Sequence, residues 1–182
     1  IIHSVKDPKL NYPQLSDFLM NAESLKVNVS LILTKSDLIL PEKHFHLFEK
    51  FKTWGYEPKI LSLISNDQFR DLIYELKAKR CSIFMGPSGV GKTTLLNKII
   101  PNVNRATSVV SKKIKRGKNT TRNIELFQLS RESYIVDTPG FNIINNFIKP
   151  KDIAILFPEL KNQIIQNGVR SVSYTHLTLP TM

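Results

Sequence analysis

One cysteine in 182 residues, Cys81, rules out an internal disulfide and any Cys-x-x-Cys metal set within this sequence. Long apolar runs are missing as well. No stretch approaches the ~20 residues that span a bilayer, and no secretory leader pattern is visible. The chain is therefore expected to be cytoplasmic, with no membrane partner. Acidic residues are in short supply: 15 Asp and Glu stand against 26 Lys and Arg, a formal charge of +11 with a pI near 9.8. That imbalance points to a polyanionic partner. Histidines are few, and His44 and His46 lie two apart, on different faces of a helix, so they do not suggest a metal pair. Low-complexity segments and internal repeats are absent. With 41% hydrophobic residues the composition suits a single globular domain with a sizeable core.

What is present is a set of loop motifs. Gly86-Pro87-Ser88-Gly89-Val90-Gly91-Lys92-Thr93 has the spacing G-x4-G-K-[ST] of a phosphate-binding loop. Its glycines let the backbone curl so that successive N–H groups face phosphate oxygens, and the loop opens a helix whose dipole favours an anion. Lys92 is expected to reach the β/γ-phosphates and the Thr93 hydroxyl to ligate Mg²⁺. The flanks agree: Cys81-Ser82-Ile83-Phe84-Met85 reads as a buried strand with Cys81 in the core, and 92–100 as a helix.

A phosphate loop does not choose a base. Thr34-Lys35-Ser36-Asp37 follows the apolar run 27–33 and so lies at the end of an expected parallel strand, where α/β sheets bind ligands. The Asp37 carboxylate has two acceptors for the N1–H and amine of guanine, a donor pair that adenine lacks. The Lys35 stem can lie along the purine face. Thr34 stands where Asn is usual, keeping a hydroxyl and losing an amide. Ser62 and Thr94 complete the candidate nucleotide-binding set. A third motif, Asp137-Thr138-Pro139-Gly140, is a magnesium-side turn. Small GTPases run phosphate loop, magnesium turn, guanine reader. Here the guanine reader comes first, which implies a circularly permuted GTPase with a three-layer α/β fold and a mostly parallel sheet.

With these motifs the chain resembles the ribosome small-subunit-dependent GTPases of the RsgA (YjeQ) type. The resemblance runs over roughly residues 1–170. It includes the phosphate loop through Asn97, the segment Ser111 to Arg122 as switch I, Asp137 to Phe141 as switch II, and Phe157-Pro158-Glu159. It implies GTP hydrolysis with Mg²⁺ as a switch in late small-subunit assembly, contact with rRNA and a monomeric protein. It also implies an OB-fold preceding this segment and a zinc domain following it. Lys112, Lys113, Lys115, Arg116, Lys118 and Arg122 put six cations in eleven positions of the expected switch I. They read either as a solvated loop or as a surface for rRNA phosphates.

GTP hydrolysis is largely positioning and charge stabilisation. Asp137 would hold Mg²⁺ through water and the Gly140 amide would touch the γ-phosphate. Either Thr120 or Thr121 would complete the metal shell. Phe141 occupies the place of the usual water-orienting Gln and cannot orient anything. The resembled family has a His before the two threonines, and this chain has Asn119. An amide can orient water but takes up no proton at neutral pH, so Asn119 reads either as a water positioner or as a bare loop residue, and intrinsic hydrolysis is expected to be slow. Two other readings stand beside a GTPase: an RNA-binding module that uses GTP structurally, and an ABC-type ATPase, which lacks its L-S-G-G-Q signature here and leaves Thr34 to Asp37 unexplained.

Periodicity gives helices over 12–22, 42–54, 67–76 and 152–162, and strands over 1–5, 27–33, 60–63, 124–129 and 133–136. Residues 1–170 are expected to form the GTPase domain. Residues 171–182 carry no charge, resemble a translated sequencing adapter, and are expected to be a non-native tail.

Overall fold

A computed structural model of the chain describes residues 1–64, 69–100, 125–138 and 156–159. The described residues form two three-stranded sheets. The first joins β1 (Ile2–Ser4), β2 (Ile32–Thr34) and β3 (Lys59–Ile60), all parallel. The second places β6 (Ser133–Asp137) between β4 (Cys81–Phe84), which is parallel to it, and β5 (Glu125–Ser130), which is antiparallel. The Ile2 N–H donates to the Met85 carbonyl at 2.7 Å, so the sheets abut where β1 meets the end of β4.

Among the described residues four α-helices flank the strands: α1 (Tyr12–Ser24), α2 (Pro41–Thr53), α3 (Phe69–Lys77) and α4 (Lys92–Ile99). In α1 the Asn11 side chain accepts from the Gln14 amide at 3.1 Å, and a proline sits in the first turn; both are helix-start chemistry. Leu15, Phe18, Leu19 and Ala22, at helical spacing, form its buried face. Fully burying each of the larger three contributes about 1.5–3 kcal/mol.

Strand alternation divides the core. Ile32 joins Ile2, Phe84, Leu72, Leu95 and Ile135 on one side of the sheet, whereas Leu31 and Leu33 join Leu15, Leu19 and Phe51 on the other. Adjacent side chains of β2 thus point to opposite layers, and the architecture is the three-layer α/β arrangement that the sequence predicts. The helix expected over 152–162 lies outside the described residues except at 156–159, where Leu156 is buried.

The strand before the phosphate loop departs from expectation. It was expected to be buried, with Cys81 in the core, yet Cys81 is exposed and Ile83 is 56% exposed. Phe84 enters the α3/α4 core, while Cys81 and Ile83 face the other layer. Helices α1 and α2 cover the first sheet on that face; among the described residues nothing covers β4 there. The strand expected over 27–33 also begins later, at Ile32, because β1 offers partners for only Ile32, Leu33 and Thr34. Val27, 55% exposed, has no sheet neighbour to pack on.

Candidate nucleotide site

The loop after β4 is shaped by its glycines. Gly86 runs at φ +154°, and a Cβ there would collide with the Ile2 carbonyl of β1. Gly91, at φ +94°, caps α4 without a side-chain hydrogen bond, which leaves the first amides of that helix facing the cavity. Lys92 folds back over the loop: its ammonium donates to the Gly86 and Pro87 carbonyls, both at 2.8 Å, and the side chain is buried. Burial pulls its pKa below the usual lysine range, and the Asp137 carboxylate opposes that shift.

Asp137 ends β6, opposite Phe84 of β4. Burial raises its pKa, and the Glu125 carboxylate across the β5–β6 hairpin adds to the rise. The Lys92 charge and a hydrogen bond with the Thr93 side chain pull the other way. Its Oδ1 is buried without a hydrogen-bond partner. Thr138 fixes the start of the following turn by donating its hydroxyl to the Phe84 carbonyl at 2.7 Å.

The guanine-reading tetrapeptide is tied to the phosphate loop through its first residue. Thr34 is fully buried, and its hydroxyl donates to the Val90 carbonyl at 2.5 Å, with the His3 carbonyl at 3.3 Å. The hydroxyl that replaces the usual amide therefore spans both halves of the site. Lys35 adopts a left-handed φ of 59°, and its ammonium donates to the Asp7 carbonyl. Ser36–Leu38 then forms a 3-10 turn held from two sides: the Ser36 amide donates to the Leu61 carbonyl at 3.2 Å, and His44 Nε2 lies 3.0 Å from the Ser36 carbonyl. Asp37 Oδ1 accepts from the Ser62 hydroxyl at 2.8 Å, which orients the carboxylate.

These pieces open onto one cavity of about 660 Å³, within the range of small-molecule sites. Lys35 and Asp37 line one part; Ser88, Gly89, Gly91, Lys92, Thr93, Thr94 and Asp137 line the rest. Ser62 stands behind Asp37, and Gly86, Pro87 and Val90 contribute backbone carbonyls to the bonds just described. Asn119, Thr120, Thr121, Gly140 and the switch I cations lie outside the described residues. Two contributors escaped sequence reading. Glu125 lines the cavity because the hairpin sets it opposite Asp137; the signal available was strand alternation across the turn. His44 reaches the reader loop from the first turn of α2, and nothing in its local sequence marks it.

The family whose sequence profile matches is described as RsgA GTPase, and the match covers residues 1–147. The chain belongs to the RsgA GTPase family. It is 39% identical over 181 residues to the small ribosomal subunit biogenesis GTPase RsgA of Prochlorococcus marinus strain SARG, covering 99% of this chain and 58% of that protein. The protein named small ribosomal subunit biogenesis GTPase RsgA 1 from a Nostoc species is 37% identical, with 99% of this chain and 48% of the relative covered. The chain thus spans about half the length of these RsgA relatives. Among solved structures, YloQ, described as a circularly permuted GTPase, matches with a TM-score of 0.69 and 26% identity over 99% of this chain and 56% of that one. YjeQ from Thermotoga maritima matches with a TM-score of 0.67 and 25% identity, covering 92% and 63%. The motif order here, reader before phosphate loop before magnesium turn, agrees with a permuted RsgA-type fold.

Proposed function

We propose that the chain binds and hydrolyses GTP and serves as the switch of a cytoplasmic, monomeric assembly factor for the small ribosomal subunit. The observation that carries this reading is the single cavity with Asp37 in one part and Lys92, Thr93 and Asp137 in the other. Asp37, oriented by Ser62, accepts from the guanine N1–H and amine. The Lys35 stem covers the purine. The α4 amides and Lys92 hold the β/γ-phosphates. Because the Lys92 ammonium is buried, its charge acts through a less screened path than at the surface.

The family fold implies Mg²⁺, and the residues present fit it: a hydroxyl at Thr93 beside a carboxylate whose Oδ1 is buried and unpartnered. Thr93 would hold the ion directly, Asp137 through water, and Thr120 or Thr121 would complete the set. When bound it neutralises phosphate charge. The Gly140 amide contacts the γ-phosphate, and Asn119 orients the attacking water without accepting its proton.

The names of the relatives point to the small subunit as partner. The switch I cations meet its rRNA through phosphates, which gives salt-sensitive affinity. Phe141 in place of a glutamine favours a second reading, an RNA-binding module in which GTP is structural. GTP turnover by the intact protein, with and without small subunits, separates the two: stimulated turnover supports the switch, and bound but unhydrolysed GTP supports the module.

A further inference from the structure

A second cavity, of about 890 Å³, lies on the other side of the guanine-reading turn. Its rim is basic. Lys6 and Lys9 come from the loop after β1, and Lys43, His46 and Lys50 from one face of α2, at positions i, i+3 and i+7. Its floor is apolar and includes Tyr12, over whose ring the Lys50 ammonium sits at 3.7 Å from the centroid. All four lysines are exposed. None forms an ion pair among the described residues, where the salt bridge is Lys59–Glu75. The acids of α2, Glu42 and Glu49, do not line the cavity; Asp37, at its border with the nucleotide site, is the one acid that does.

Four cations without an ion pair among the described residues repel each other around one open groove, and an anion with several charges relieves that repulsion. A single phosphate answers one or two of them. A chain of phosphates answers all four, and an apolar floor with an aromatic ring suits the faces of unpaired bases. We propose that this groove seats a single-stranded stretch of RNA, its phosphates on Lys6, Lys9, Lys43 and Lys50 and a base over the apolar floor beside Tyr12. The proposal rests on the reading above that the protein works on an RNA-containing particle. It places an RNA contact on the guanine side of the nucleotide site, built from residues outside the switch I segment. Asp37 lines both cavities, and Leu38 and Leu40 wall the groove, so an RNA strand seated there touches the turn that reads guanine.

The test measures binding of the full chain to a fluorescein-labelled oligouridylate across a range of salt concentrations. It compares wild type, a variant with Lys6, Lys9, Lys43 and Lys50 all changed to Ala, and one with all four changed to Arg. A single strand loses about 0.7 in log–log slope per phosphate contact. The Ala variant should therefore flatten the slope by about 3 and weaken binding at 0.1 M salt by roughly two to three orders of magnitude. The Arg variant should keep the wild-type slope. Binding of a fluorescent GTP analogue should be unchanged in both variants, because none of the four lysines lines the nucleotide cavity. An unchanged slope in the Ala variant, with GTP binding intact, overturns the groove and leaves the switch reading standing. Loss of GTP binding in wild type would instead sink the switch reading. Displacement of the RNA by oligoglutamate at equal charge concentration would assign the groove to an acidic protein segment and likewise overturn the proposal.

Discussion

Replacing Thr34 with valine removes one hydroxyl from a fully buried position while keeping the β-branched shape. That hydroxyl donates to the Val90 carbonyl of the phosphate loop at 2.5 Å, across 56 residues of sequence. In Thr34→Val the carbonyl loses this donor, and no water has ready access to a site with 0% exposure at both residues. Leaving a buried acceptor unsatisfied costs about 1–3 kcal/mol. The bond ties two parts of the fold together, so the loss should fall first on stability: a drop in Tm of about 2–4 °C per kcal/mol for a domain of this size, or roughly 2–12 °C in all. Any part of the bond's strength that grows when nucleotide docks appears as weaker GTP binding, tenfold for each 1.4 kcal/mol. Thermal unfolding and titration with a fluorescent GTP analogue measure the two parts. Thr34→Ser, which keeps the hydroxyl, should recover most of both. If Thr34→Val unfolds at the wild-type temperature and binds GTP as tightly, the reader and the phosphate loop are not joined through this residue.

His3 is buried and its pKa is lowered from 6.5 mainly by desolvation, with the Ser4 carbonyl and Gln14 opposing. The unfolded chain then binds a proton that the folded one refuses. Stability is full above pH 6.5 and should fall as pH drops below it, by up to about 1.4 kcal/mol per pH unit until the folded pKa is reached. Denaturant unfolding between pH 5 and 7 should show this slope in wild type and lose it in His3→Gln; parallel profiles would remove His3 as the cause. Asp37→Asn should weaken GTP binding and favour xanthine nucleotides, whose carbonyl replaces the guanine amine. Competition titration checks this, and wild-type affinity for GTP in the variant would contradict the guanine assignment.

The site was legible in the sequence wherever chemistry restricts residue type at close spacing. Glycines at fixed offsets, Lys92 with Thr93, and the Thr34–Asp37 tetrapeptide each carry their reason within a few residues, and the structure brings these three features to one cavity. The apolar run ending at Leu33 was readable as a strand too, but not that its Leu31, Ile32 and Leu33 supply both layers of the core. What failed depended on neighbours distant in the chain. A short apolar strand is compatible with burial on one face or two, and only the packing around β4 leaves Cys81 and Ile83 uncovered. Glu125 enters the site through hairpin register, and Thr34 meets Val90 through tertiary contact. Lys6 and Lys9 stand more than thirty residues from Lys43 and Lys50, so the charge cluster in the groove is created by folding. In the sequence it is overshadowed by the denser run from Lys112 to Arg122.

GTP turnover by the intact protein, alone and with purified small ribosomal subunits, tests the switch directly, with ATP as a competing nucleotide and Asn119→Ala as a second enzyme. A GTP-driven switch should show slow turnover alone, marked stimulation by the subunits, no competition from ATP, and loss of most of the stimulated rate in Asn119→Ala with GTP still bound. Equal turnover with and without subunits, or displacement of GTP by ATP, would contradict it.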